Sequence, residues 1–224
     1  RENTPSDNYA VARSCGIAVS ILNIIRRYNE NVRSQHLPVL EIGIGICFQD
    51  QAPAFLFDGD RRLMISPAIN IADRFSKSSK ELKEIIRKYS LPFNLHVFQT
   101  DSGSGSSYGS EASVQRYNVN GIELESHAFE KLLKEIRLQT VEIHIPELQK
   151  ERMKIHTGIF PTAGGRFQRL MIREGIILKV DPATLQLKSE TPNIYYEVCT
   201  HQKVFQHLQE LTRGEEEILK SIQA

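Results

Sequence analysis

A chain of 224 residues with a formal net charge of +1 carries no charge excess that would draw it to nucleic acid, an anionic lipid surface or a strongly acidic partner. Its composition, 40% hydrophobic and 25% charged, is that of an ordinary globular protein, and no run of about 18 apolar residues offers a membrane span. Cys15, Cys47 and Cys199 are odd in number, far apart and set in apolar segments, which predicts reduced thiols in a cytoplasmic setting rather than a disulfide framework.

The chain opens at Arg1 with seven polar-leaning residues and reads as a piece cut or processed from something longer. Residues 8–33 have a helical period, with Ala10, Ala12, Cys15, Ile17, Ala18, Ile21, Leu22 and Ile25 forming the expected buried stripe. Val39 to Phe48 predicts a strand. Leu40, Ile42, Ile44 and Ile46 share one face, while Gly43 and Gly45 leave the other almost bare, so something should pack very close to it. Ala54–Phe57 and Arg61–Ile65 flank Asp58-Gly59, a dipeptide suited to a tight hairpin. Ser66-Pro67 then supplies a cap and a first helical residue. In the helix so started, Asn70 and Arg74 are four apart, so both leave the same face and can grip one oxyanion.

Further along, Glu81–Tyr89 predicts a helix and Asn94–Thr100 a strand. Residues 101–113, DSGSGSSYGSEAS, predict a loop; the spacing of Gly103, Gly105 and Gly109 fits neither GxGxxG nor GxxxxGK(S/T). Gln115–Val119 predicts a strand, Asn120-Gly121 its turn, and Ser126–Arg137 a helix capped by Ser126, with Phe129, Leu132, Leu133 and Ile136 inward. A short strand follows over Val141–Ile145, and a boundary is expected near Pro146. Beyond it, short β runs at 154–160, 167–173, 175–180 and 194–199 suggest a small barrel or sandwich, closed by helical stretches at 203–211 and 215–222. Arg166, Arg169 and Arg173 form a basic stripe, read as soluble surface or as a seat for phosphate or an acidic surface. His201 and His207 have no carboxylate at ligand spacing, so no metal ligand is assigned to them.

The order of IGIGI, hairpin and SPAINIADRF, preceded by a long helix of small and aliphatic residues, resembles the second half of the class III adenylate/guanylate cyclase homology domain. There an IGIHxG strand is followed by a hairpin and by (V/I)NxAxR. The resemblance covers roughly residues 8 to 100. It implies an α/β domain over residues 1–145, with a ferredoxin-like cyclase-type sheet and flanking helices, and the short β runs read above make residues 146–224 a small β-rich domain with a C-terminal helix. It also implies the conversion of ATP or GTP to a cyclic nucleotide and pyrophosphate, with Asn70 orienting the ribose and Arg74 neutralising the triphosphate. The position that reads the purine edge in that family falls on Leu63, which offers neither donor nor acceptor and puts base discrimination in doubt. Mg or Mn is expected from the family, held by two aspartates that lie before the long helix and have no counterpart in this sequence. The family's active sites form between subunits, so a homodimer is implied. Two rival readings remain open: a cyclase-like module that no longer catalyses but binds nucleotide or dimerises to pass on a signal, and an unrelated ferredoxin-like domain in which the Asn and Arg spacing is accidental.

Overall fold

In the computed structural model, which describes residues 7–100, 114–162, 166–181 and 183–211, a short 3-10 turn (Asp7–Tyr9) leads into α1 (Ala10–Ser34). Tyr9 supplies no side-chain cap. Instead Glu135, at the end of α4 (Ser126–Glu135), accepts from the Val11 and Ala12 N–H groups at 3.1 and 2.9 Å. One carboxylate therefore satisfies two open donors, meets the positive end of the helix dipole and ties the two helices together. The buried stripe of α1 runs through Val11, Ala12, Cys15, Ala18 and Leu22. Ile17 and Ile21, expected on it, are 62% and 41% exposed. Each residue turns about 100° around a helix, and once the small residues set the line of contact the two isoleucines fall beside it.

The first strand, β1 (Gly43–Ile46), is shorter than the ten residues expected. Asn29 explains part of the difference: its amide donates to the Leu40 carbonyl and its oxygen accepts from the Leu40 N–H, both at 2.8 Å. Those backbone groups are satisfied outside the sheet. The bare face of β1 does meet a close neighbour, α2 (Pro67–Ser76). A Cβ placed on Gly45 would lie 2.3 Å from the Ala72 carbonyl oxygen and 2.7 Å from Phe75 Cβ. Between these two elements, β2 (Ala54–Asp58) and β3 (Arg61–Ile65) form a separate hairpin, turning with Gly59 at a φ of +57°.

The remaining strands are β4 (Leu95–Thr100), β5 (Val114–Asn118), β6 (Gly121–Leu124), β7 (Gln139–Ile143), β8 (Met153–Pro161), β9 (Phe167–Asp181) and β10 (Gln186–Val198). With β1, seven of them build one mixed eight-stranded sheet in the order β1-β6-β10-β9-β4-β5, with β8 also on β9 and β7 on β8. β1 and β6 pair in parallel, as do β4 and β9. The two short runs expected at 167–173 and 175–180 are a single 15-residue strand. Its first half pairs with β8 from Phe167↔Pro161 to Arg173↔Ile155, and its second half with β4 from Leu178↔Phe98 to Val180↔Thr100. Gly175 sits opposite Tyr195 and gives room to its ring, where a Cβ would lie 2.2 Å from Cζ. Strands from both sides of residue 146 thus share one sheet, and the boundary anticipated there does not interrupt it.

Helices α1 and α4 cover one face, where Cys15, Leu22, Phe129 and Leu132 pack with Ile122, Leu170, Ile172 and Val198. α3 (Lys80–Tyr89) packs Leu82 and Ile85 on Phe98 and Val180. A helix over residues 202–211, α5, brings Val204 and Leu208 to Phe93, Ile143, Met153 and Ile155. Glu125, not Ser126, caps α4, accepting from the His127 and Ala128 N–H groups at 2.9 and 3.0 Å. A carboxylate one residue earlier reaches these donors and also opposes the helix dipole, so it displaces the hydroxyl. The expected loop at 101–113 and helix at 215–222 lie outside the described residues. The architecture is mixed α/β with one large mixed sheet.

The contact at Gly45 gives a direct test of how β1 is seated. Gly45→Ala sets a methyl against a backbone oxygen that cannot rotate away, and the expected loss is about 1–3 kcal/mol by urea unfolding. Gly59→Ala in the open hairpin meets no neighbour, and its smaller loss comes from backbone conformation alone. Equal effects at the two positions would contradict the packing described.

Candidate functional site

The helix start read from Ser66-Pro67 is built as expected: Ser66 Oγ accepts from the Ala68 N–H at 3.2 Å, and Pro67 opens α2. Asn70 and Arg74 stand one turn apart on this helix and both are exposed. Leu63 lies on β3 and is 53% exposed. Arg74 lines a cleft of about 290 Å³ with Lys77, Ser78, Ser79, Val114, Gln115 and Arg116. Asn70 and Leu63 are outside that lining. The fold therefore brings Arg74 to Lys77 and Arg116, two cations that reading along the helix did not connect with it.

The cleft forms where the segment after α2 meets β5, joined by the Ser79 N–H donating to the Arg116 carbonyl at 2.9 Å. Its described lining holds three cations and no carboxylate. The charges are partly countered from behind. Lys77 pairs with Asp73 at 2.6 Å on the exposed helix face, a pair of the kind that contributes little. Arg116 Nε donates to Glu123 Oε2 at 2.6 Å, with side chains 12% and 4% exposed, and its guanidinium lies 4.2 Å from the centre of the Phe75 ring. Arg116 also lines a larger cavity of about 480 Å³, together with Phe75, Gln99, Glu123, Asn193 and Tyr195. The two spaces share Val114 and Arg116.

Glu123 is buried in a row of charges. It lies directly opposite Glu197, which lies opposite Arg173. Burial, with the added repulsion of Glu197, pushes the Glu123 carboxyl up to about 7, and Arg116 pulls it back only in part. Arg173 is not part of a surface stripe with Arg166 and Arg169, because it is 4% exposed and committed to partners. Its Nε donates to Glu197 at 2.8 Å, its Nη2 to Tyr195 Oη at 2.6 Å, and its guanidinium lies over the Phe93 ring at 3.9 Å. The stripe fails because strand alternation alone does not show that the neighbouring strand β10 sets a matching glutamate beside Arg173. Among the described residues, no three His, Cys, Asp or Glu side chains come together so as to hold a metal ion, so this set does not fit the Mg or Mn that the resemblance implies. Cys15, Cys47 and Cys199 are free thiols.

Removing one member of the inner pair separates structure from charge. Arg116→Met leaves Glu123 buried beside Glu197 without its cation and is expected to cost about 3–5 kcal/mol, whereas Arg116→Met with Glu123→Leu restores most of that loss. The folded chain also holds the Glu123 proton to higher pH than the unfolded chain, whose ordinary value is 4.5. More protons are then bound in the folded state between these values, so this group makes folding stability fall as pH rises from about 4.5 to about 7. Glu123→Gln should flatten that slope in denaturant titrations across the window.

Compared with known proteins, the chain matches no family model, no curated protein and no solved structure.

Proposed function

We propose that this chain is a nucleotide cyclase-type signalling domain, and that its own residues supply the part that grips the triphosphate of ATP or GTP. The observation that carries this reading is the basic cleft, with no carboxylate in its described lining, where Arg74, Lys77 and Arg116 converge at the end of the helix bearing Asn70. A triphosphate is a chain of oxyanions, and guanidinium groups match them with paired N–H donors. The adjoining cavity of about 480 Å³ offers polar edges and the Phe75 ring to a nucleoside. Asn70, one turn before Arg74 on α2, is the residue that the resemblance assigns to the ribose. Cyclisation joins the ribose 3′ oxygen to the α-phosphate and expels pyrophosphate. The described residues provide no ligands for the Mg or Mn that the resemblance implies for that step. What this chain contributes is binding and orientation.

A second reading, a degenerate cyclase-like module that binds nucleotide or dimerises, is favoured by Leu63. With no donor or acceptor there, ATP and GTP should bind with similar affinity. In either reading the domain works as a homodimer. The β2–β3 hairpin exposes apolar side chains on both faces, with Leu56 54% and Leu63 53% exposed on one, and Phe57 74% and Met64 52% on the other. A two-stranded hairpin is marginal by itself. The same chain carries a second unpartnered apolar surface on α1, where Ile17, Ile21, Ile24 and Tyr28 are all exposed. Two copies can bury these surfaces reciprocally, as a twofold interface requires.

Incubation with ATP or GTP and manganese should give cyclic nucleotide under the first reading, and Arg74→Ala should lower its rate by about 100–1,000-fold without changing the melting temperature. Nucleotide binding without product, weakened by the same substitution, selects the second. No binding at all rejects both. For assembly, sedimentation should show a dimer, and Leu56→Asp with Phe57→Lys should convert it to a folded monomer. A parent chain that stays monomeric at high concentration, or captures a different protein through the hairpin, argues against self-association.

A further inference from the structure

We propose a second anion-binding site, remote in sequence from Asn70 and Arg74, that takes a small molecule bearing a phosphate ester or carboxylate on a short apolar body. It is a cavity of about 390 Å³ where α1, the start of β9 and the chain entering α5 meet, within the size range of small-molecule sites. Arg26 and Asn23 reach it from α1, Arg169 from β9, and Thr200 and Gln202 from the turn into α5. Leu170, Val198 and Phe205 give it an apolar side. Its described lining contains no carboxylate.

The state of the two arginines distinguishes this cavity. Arg116 and Arg173 each hold a glutamate. Arg26 donates instead to neutral oxygens, the Thr200 hydroxyl at 2.5 Å, the Thr200 carbonyl at 3.4 Å and Asn23 Oδ1 at 3.5 Å. Arg169 donates to the Thr157 hydroxyl at 3.4 Å. Neither has a carboxylate partner among the described residues. Two cations brought together at a cavity without an acid repel each other, and that cost is offset when an oxyanion enters and accepts from both. Arg26 is also pre-positioned by its three bonds, so little side-chain freedom is lost on binding. The local field agrees: burial, then Lys203, Arg26 and Arg173, hold the nearby His201 imidazole below its ordinary value. The ten-residue helix that starts at residue 202 adds its positive end to the same place. This site does not depend on the cyclase reading.

Phenyl phosphate and benzoate, titrated into the 224-residue chain by calorimetry, share the apolar ring and differ in the oxyanion. Saturable binding of at least one is expected, weakening with added salt. Arg169→Ala, an exposed position, should weaken it about tenfold, the loss of one charged hydrogen bond. Arg26→Lys keeps the charge but cannot hold the fork and should weaken it comparably. Arg74→Ala should leave it unchanged, which separates this site from the nucleotide cleft. Preference between the two ligands tells phosphate from carboxylate. Absence of saturable binding by either, or binding that survives both arginine changes, overturns the proposal.

Discussion

Arg173 and Glu197 face each other across β9 and β10 inside the protein, and their pairing constrains how these two strands align. Arg173 is enclosed by Glu197, Tyr195 and Phe93, and Glu197 lies opposite Glu123, which Arg116 balances from β5. Such a row is a poor source of net stability, since desolvating four charges costs about as much as pairing them returns. Its value is in register. A one-residue slip of β10 against β9 would turn Glu197 to the opposite face, among Ile172, Val198 and Leu132, where it would have no cation. Tyr195 reinforces the same alignment, its hydroxyl donating to the Leu95 carbonyl at 3.3 Å and linking β10 to β4.

This interior arrangement bears on the surface site. Arg116 is the shared member, salt-bridged to Glu123 on one side and lining the cleft with Arg74 on the other. Its guanidinium is held over Phe75, one residue after Arg74 on α2, and α2 is seated on the glycine face of β1. Asn118 adds a further tie, its amide donating to the Ile44 carbonyl at 3.1 Å and the Phe75 carbonyl at 2.5 Å. The cations of the cleft are thus mounted on packed elements, an arrangement that limits reorganisation when an anion arrives.

Local signals in the sequence were informative where a residue acts on its near neighbours. The Ser66 cap, the Gly59 hairpin and the bare face of Gly43 and Gly45 all rest on contacts a few residues apart or on the absence of a side chain. The periodicity of α1 gave the helix but not its orientation, because Ile17 and Ala18 compete for the same stripe and the choice depends on how closely α4 approaches. β6 is too short for alternation to register. The runs at 167–173 and 175–180 are one strand, in which the tyrosine that covers Gly175 comes from β10 and so leaves no local signal. Of the candidate site, Asn70, Arg74 and Leu63 were legible as types and spacings, whereas Arg116 joins Arg74 and Lys77 only through the folding of β5 against the end of α2. Arg173 misled for a related reason: a charged residue on a strand looks solvated until its counter-charge is known.

The sheet order also dictates when the molecule can be finished. β1 has β6 as its ladder partner, β6 in turn leans on β10, and β9 is shared between β8, β4 and β10. During synthesis the β2–β3 ribbon can close first, β1 can pair once β6 has emerged and β4 once β5 has, whereas β9 and β10, which lie between those two pairs in the sheet, come last. The carboxyl-terminal third therefore lies at the middle of the sheet, between two pairs of earlier strands. It is the closing piece that joins those two pairs into one sheet.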